Sequence, residues 1–237
     1  MGRLKHSQLT RQAEIFITNG AKPEAQAVIA GVGYAPAALS DGQTLVNAVK
    51  TGQAYTKELL AAQKSATRAE KNARQAAQKE MVSLSETARL LFADDEPTLT
   101  SLGLQTQYET VIDPETGESK QQAVSLPQAT AEVISRWRQL VTNVTKLDAA
   151  QVAELAAAGW GSTRITAAAA LVEAFADADT NQQDTIQDYQ EASAQYQADM
   201  EALRGWYGRA RQLSSLAIKD ADPTNQQNLR ELLGLDG

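Results

Sequence analysis

Cysteine is absent from this chain of 237 residues, and histidine occurs once, at His6. Disulfide bridges and thiolate metal sites are therefore excluded. A zinc centre, which draws its ligands mainly from Cys and His, is not expected, and the metal chemistry left to the chain is carboxylate-bound Mg²⁺ or Ca²⁺. Aromatic residues make up only 5% of the chain and proline occurs six times, while alanine is abundant. That balance favours closely packed helices, because alanine is the best helix former and a poor strand former. Long apolar runs are lacking as well. The longest, Ala167 to Ala176, is interrupted by Glu173 and falls short of the ~20 residues a bilayer-spanning helix needs. The basic start Met1-Gly2-Arg3-Leu4-Lys5-His6 has no apolar stretch behind it, so no signal peptide is expected and the chain reads as soluble and cytoplasmic. Positive charge is not in excess: the net charge is −7, which argues against nucleic acid as a partner.

Catalytic signatures are missing too. The sequence holds no nucleophile elbow, no phosphate loop and no Glu-x-x-His pair of the di-iron bundles. No catalytic, cofactor-binding or metal-ligating residue is assigned, no cofactor is expected, and the chain reads as a non-enzyme.

What is present is a succession of helical patterns with clear punctuation. A first helix over 3–18 stops at Asn19-Gly20. A short helix over 25–30 follows Pro23 and ends at Gly31-Val32-Gly33. That turn has the look of a helix-hairpin-helix but lacks its basic flanks, having only Lys22 nearby. A third helix reaches Val49, Lys50-Thr51-Gly52 is read as its break, and a helix of about forty residues runs from Ala54 to the stop Asp94-Asp95-Glu96-Pro97-Thr98. Between 105 and 127 β-type residues at Gln107–Ile112 and Gln121–Leu126 flank the turn signal Asp113-Pro114-Glu115-Thr116-Gly117, so this connector is either a short hairpin or an exposed linker. Helical periodicity then resumes through Ile134, Trp137, Leu140, Val141 and Val144. Asp148 is a candidate N-cap for a short helix ending at Gly159, Ser162 or Thr163 caps the next one, and Asp177-Ala178-Asp179-Thr180 is read as the opening of a second long helix to Pro223-Thr224.

The order of these elements occurs twice. An offset of 126 aligns Gly33-Tyr34 with Gly159-Trp160, Leu45-Val46 with Leu171-Val172, and Pro97-Thr98 with Pro223-Thr224. The tails align as Ser101-Leu102-Gly103-Leu104 with Leu232-Leu233-Gly234-Leu235 after a five-residue insertion. The expected fold is all-α, built from two tandem-duplicated bundle units over 1–104 and 128–237 and joined by the connector 105–127. The units would form two bundles, or the two long helices would pack antiparallel in one body.

The copies differ in charge and bulk. The first long helix carries small residues at Ala62, Ala66, Ala69, Ala73 and Ala76 and basic ones at Lys57, Lys64, Arg68 and Lys71. The second carries Tyr189, Tyr196, Trp206 and Tyr207, with Gly205 and Gly208 marking a bend or a close helix contact. The basic residues are the candidate interaction surface. Tyr34, Trp137, Trp160 and Trp206 are candidates for an aromatic pocket, against the alternative that they plug the bundle core. The expected function is that of a non-catalytic scaffold or interaction protein whose partner is a protein, another chain or a second copy of this one. Peripheral membrane association and small-ligand binding between units are the alternatives, though no small molecule is identified.

Overall fold

In the computed structural model, residues 6–105, 108–112, 119–123, 126, 128–221 and 223–235 are described. Among them, eight α-helices account for nearly all of the regular structure: α1 (His6–Gly20), α2 (Pro23–Ile29), α3 (Pro36–Leu91), α4 (Glu96–Ser101), α5 (Thr130–Val144), α6 (Ala149–Ala157), α7 (Ser162–Lys219) and α8 (Pro223–Leu232). A two-stranded antiparallel hairpin pairs β1 (Tyr108–Ile112) with β2 (Ser119–Ala123), Tyr108 lying opposite Ala123 and Ile112 opposite Ser119. The connector is therefore a hairpin. Its second strand begins two residues earlier than the β-type pattern suggests, and the expected turn at 113–118 lies outside the described residues, as do residues 3–5 of the expected first helix. No helix among the described residues is long and apolar enough to cross a membrane.

The long helices are longer than their sequence punctuation implies. Gly52 does not break α3, which runs unbroken for 56 residues, and Asp177–Thr180 does not open α7, which runs for 58. A mid-helix glycine costs only about 1 kcal/mol relative to alanine. Here its bare face takes up Tyr196: a Cβ on Gly52 would sit 3.3 Å from that ring. At Asp177–Thr180 the acidic and hydroxyl side chains need not cap, since Thr180 returns its hydroxyl to the Ala176 carbonyl within the helix (3.1 Å). Nor do Gly205 and Gly208 mark a close contact: nothing lies within 4 Å of a Cβ placed at either. The close approach is at Gly42 of α3, where the Trp206 ring occupies the space a Cβ would need.

The chain forms two compact units, and these do not follow the order of the sequence. The first unit joins Met1–Ala62 to Ile186–Gly237, and the second is Gln63–Thr185. In the first, α1 buries Leu9, Ala13, Phe16 and Ile17 against Ile29, the start of α3 (Leu39, Val46, Val49), the end of α7 (Met200, Leu203, Trp206, Tyr207) and α8 (Leu229). Gly42 meets Trp206 and Gly52 meets Tyr196, so α3 and α7 run antiparallel in this unit. In the second, α5 buries Val133, Ile134, Leu140, Val141 and Val144 against the end of α3 (Met81, Leu84, Ala88), Leu155, and the start of α7 (Ala168, Val172, Phe175). There Thr67 meets Gln182 while Glu80 meets Arg164, again antiparallel.

Four turns share one construction. Gly33, Gly103, Gly159 and Gly234 have φ of +94°, +72°, +87° and +67°. The residue after each donates its backbone N–H five residues back: Tyr34 to Ile29, Leu104 to Leu99, Trp160 to Leu155 and Leu235 to Arg230. Each of those four side chains is buried. Glycine is needed because the left-handed conformation that ends the helix strains any other L-residue. The turn then drives the next side chain into the core. Each unit contains two such turns. Asp148 caps α6 through a reciprocal box with Gln151, and Asp95 caps α4.

Candidate interaction surface

Lys64, Arg68 and Lys71 stand at i, i+4 and i+7 on α3 within the second unit, a spacing that puts them on one face over roughly 10 Å. All three are exposed and none forms an ion pair with a described residue. Every neighbour one turn away on this face is basic, polar or apolar. No acid lies three or four residues from any of them. Like charges at these spacings repel by a few tenths of a kcal/mol per pair. Lys57 is equally exposed and belongs to the first unit. Toward the end of α3 the exposed residues become mixed, with Val82 and Leu90 open to solvent, Leu90 at 80% exposure.

The four aromatic candidates divide between the units. In the first, Tyr34 and Trp206 meet edge to face with centroids 5.8 Å apart. Phe16 stands edge to face with Tyr34, Trp206 and Tyr207 at 5.8, 6.0 and 6.2 Å. This arrangement sets the positive ring edges on the negative faces. Burial pushes the Tyr34 and Tyr207 phenols above the ordinary tyrosine range, with nearby arginines opposing it. In the second unit Trp160 is 1% exposed beneath the guanidinium of Arg164, whose carbon lies 3.8 Å from the ring centroid. Arg164 Nε also donates to Glu80 at 2.9 Å. Trp137 is half-buried, packs on Phe175 at 5.8 Å, and borders a cleft.

The acidic stop before Pro97 acts as a cap. The Asp95 carboxylate accepts from the Thr98 hydroxyl (2.6 Å) and backbone N–H (3.1 Å), and Gln151 Nε2 reaches the same hydroxyl at 2.6 Å. Those hydrogen bonds, the Thr98 hydroxyl's first, hold Asp95 below the usual carboxylate range. Glu173 is likewise held low by the hydrogen bonds Arg138 donates to it.

Two concave features carry no legible sequence signal. A groove of about 550 Å³ in the first unit lies between α2 and α8, lined by Lys22, Glu24, Val28, Leu229 and Leu232 among others. A cleft of about 250 Å³ in the second unit is lined by residues of α3, α5 and the Leu102-Gly103-Leu104 turn. Neither could be read from spacing, since each joins elements distant in the chain. Among the described residues no group of three or more Asp, Glu or His side chains is placed to hold a metal ion. Comparison with protein-family models, with curated proteins and with solved structures finds no match.

Proposed function

We propose that this chain is a non-catalytic helical scaffold that docks an acidic protein segment on the Lys64, Arg68 and Lys71 row of α3. The observation that carries the reading is a row of three exposed like charges with no acid three or four residues from any of them. A solvated helix face normally interleaves opposite charges, which favour the helix, whereas this row repels itself. In a protein of net charge −7 such a row is a local exception, complementary to an acidic surface.

The two-unit design also supports a tandem duplication. The fifteen-residue helices α1 and α5 share a burial pattern. Leu9, Phe16 and Ile17 stand at the positions of Val133, Leu140 and Val141. Val46 and Val172, Leu84 and Ala210, and Phe92 and Ile218 are buried pairs separated by 126. In this reading each unit takes the opening of one repeat and the long-helix end of the other.

The test compares the wild-type chain with the triple variant Lys64→Glu, Arg68→Glu, Lys71→Glu, each immobilised against extract of the native host at physiological salt. Circular dichroism should be unchanged, because all three side chains are exposed. A protein held by the wild type and lost from the variant should dock through an acidic segment, with affinity falling as salt rises. Identical retention by both chains would refute the docking row. Flotation of the wild type with anionic vesicles, abolished in the variant, would replace the protein partner by a membrane surface.

A further inference from the structure

The 250 Å³ cleft of the second unit brings together an apolar floor and a cation that forms no ion pair with a described residue. Met81, Leu102 and Leu140 supply buried apolar surface, and Arg136 and Trp137, neighbours on α5, both border it. Arg136 Nη1 is closed off from solvent and has no hydrogen-bond partner, and the guanidinium forms no ion pair with any described residue. A partly buried guanidinium without a compensating charge is unfavourable, because burial removes water's stabilisation and nothing replaces it. The other polar groups at the cleft do not relieve it. Arg89 is itself a cation and turns its Nε to the Leu104 carbonyl (3.4 Å). Ser85 gives its hydroxyl to the Met81 carbonyl at 2.7 Å. Glu86 lines the same cleft, is exposed and forms no ion pair with any described residue.

We propose that this cleft binds a small apolar monocarboxylate. Its carboxylate supplies the counter-charge Arg136 lacks, and its hydrocarbon part lies against Trp137, Leu102 and Leu140. Guanidinium and carboxylate are matched in geometry as well as charge. Size limits the ligand, since the cleft is smaller than the roughly 300–1,000 Å³ that drug-sized molecules occupy. Charge limits it to a monoanion, because the two cations Arg89 and Arg136 and the one carboxylate Glu86 leave the lining with a single net positive charge. The site is independent of the basic row on α3, and either assignment can fail without the other.

The test titrates the 237-residue chain with hexanoate, hexanol and hexyl phosphate by calorimetry at neutral pH. Hexanoate should bind saturably, and hexanol and hexyl phosphate should each bind more weakly. Arg136→Gln should weaken hexanoate by about tenfold or more, the loss of one charge-assisted contact. Glu86→Gln, at an exposed position, should tighten hexanoate and provides the test if Arg136→Gln fails to fold. No saturable hexanoate binding, equal binding of hexanol, or a folded Arg136→Gln that binds like the wild type would overturn the site. So would Glu86→Gln that leaves affinity unchanged or lowers it. Tighter binding of hexyl phosphate would overturn the carboxylate assignment.

Discussion

Ser214 on α7 is wholly buried, and its hydroxyl has no hydrogen-bond partner. The residue 126 positions earlier, Ala88, is just as buried in the second unit and carries no polar atom to satisfy. An enclosed hydroxyl without a partner costs on the order of 1–3 kcal/mol. Ser214→Ala should therefore raise stability by about 1 kcal/mol in chemical denaturation, and a loss of stability would show that the hydroxyl has a use. Gly42 and Gly52 offer the opposite contrast on α3. A Cβ at Gly42 would lie 2.2 Å from the Trp206 ring, while one at Gly52 would lie 3.3 Å from Tyr196. Trp206 is nearly buried and cannot swing away, whereas Tyr196 is half-exposed. Gly42→Ala should cost about 2 kcal/mol through overpacking. Gly52→Ala should change stability by less than about 1 kcal/mol, helix propensity offsetting the contact. Thermal melts of the two variants side by side check the order.

At the scale of elements, punctuation that acts locally was legible and punctuation overruled by packing was not. The glycines at 33 and 159 mark helix ends because positive φ is a property of the residue itself, and Asp148 caps because its bonds stay within one turn. Gly52 and Asp177–Thr180 look locally like helix ends, yet α3 and α7 pass through them. Whether a mid-helix glycine ends a helix depends on what packs on its bare face, and at Gly52 that is Tyr196, 144 residues away. The candidate residues were legible as exposed or aromatic, but their grouping was not. Tyr34 meets Trp206, and Arg136 borders a cleft, only through long-range packing. The lowered carboxyls Asp95 and Glu173 belong to the second unit. A carboxyl depressed in the fold adds stability above its unfolded pKa, near 4, and that stability is lost as pH falls through the folded value. The raised phenols Tyr34 and Tyr207 belong to the first unit. Their contribution is complete below the unfolded tyrosine pKa, near 10, and is lost as pH rises through the folded value. Both carboxyls face solvent, so the acid effect is small and is read as an order of events. Hydrogen exchange should show α4 and α6 losing protection before α1 at low pH, and α1 before α4 and α6 above pH ~10. The same order at both extremes would contradict this assignment.

On the scale of the whole molecule, the connector separates the chain into two stretches, yet neither stretch owns a unit. The first unit needs residues 1–62 and 186–237, and the second, 63–185, draws on residues before and after the paired strands β1 and β2. The cores agree: α1 packs with α8, and the end of α3 packs with α5. A site-specific protease sequence placed at residues 113–118 of the 237-residue chain, cleaved after folding, tests this arrangement most directly. Both fragments should co-elute at the mass of the intact chain on size exclusion with light scattering and separate only in denaturant. Two folded fragments eluting apart at half that mass would contradict it.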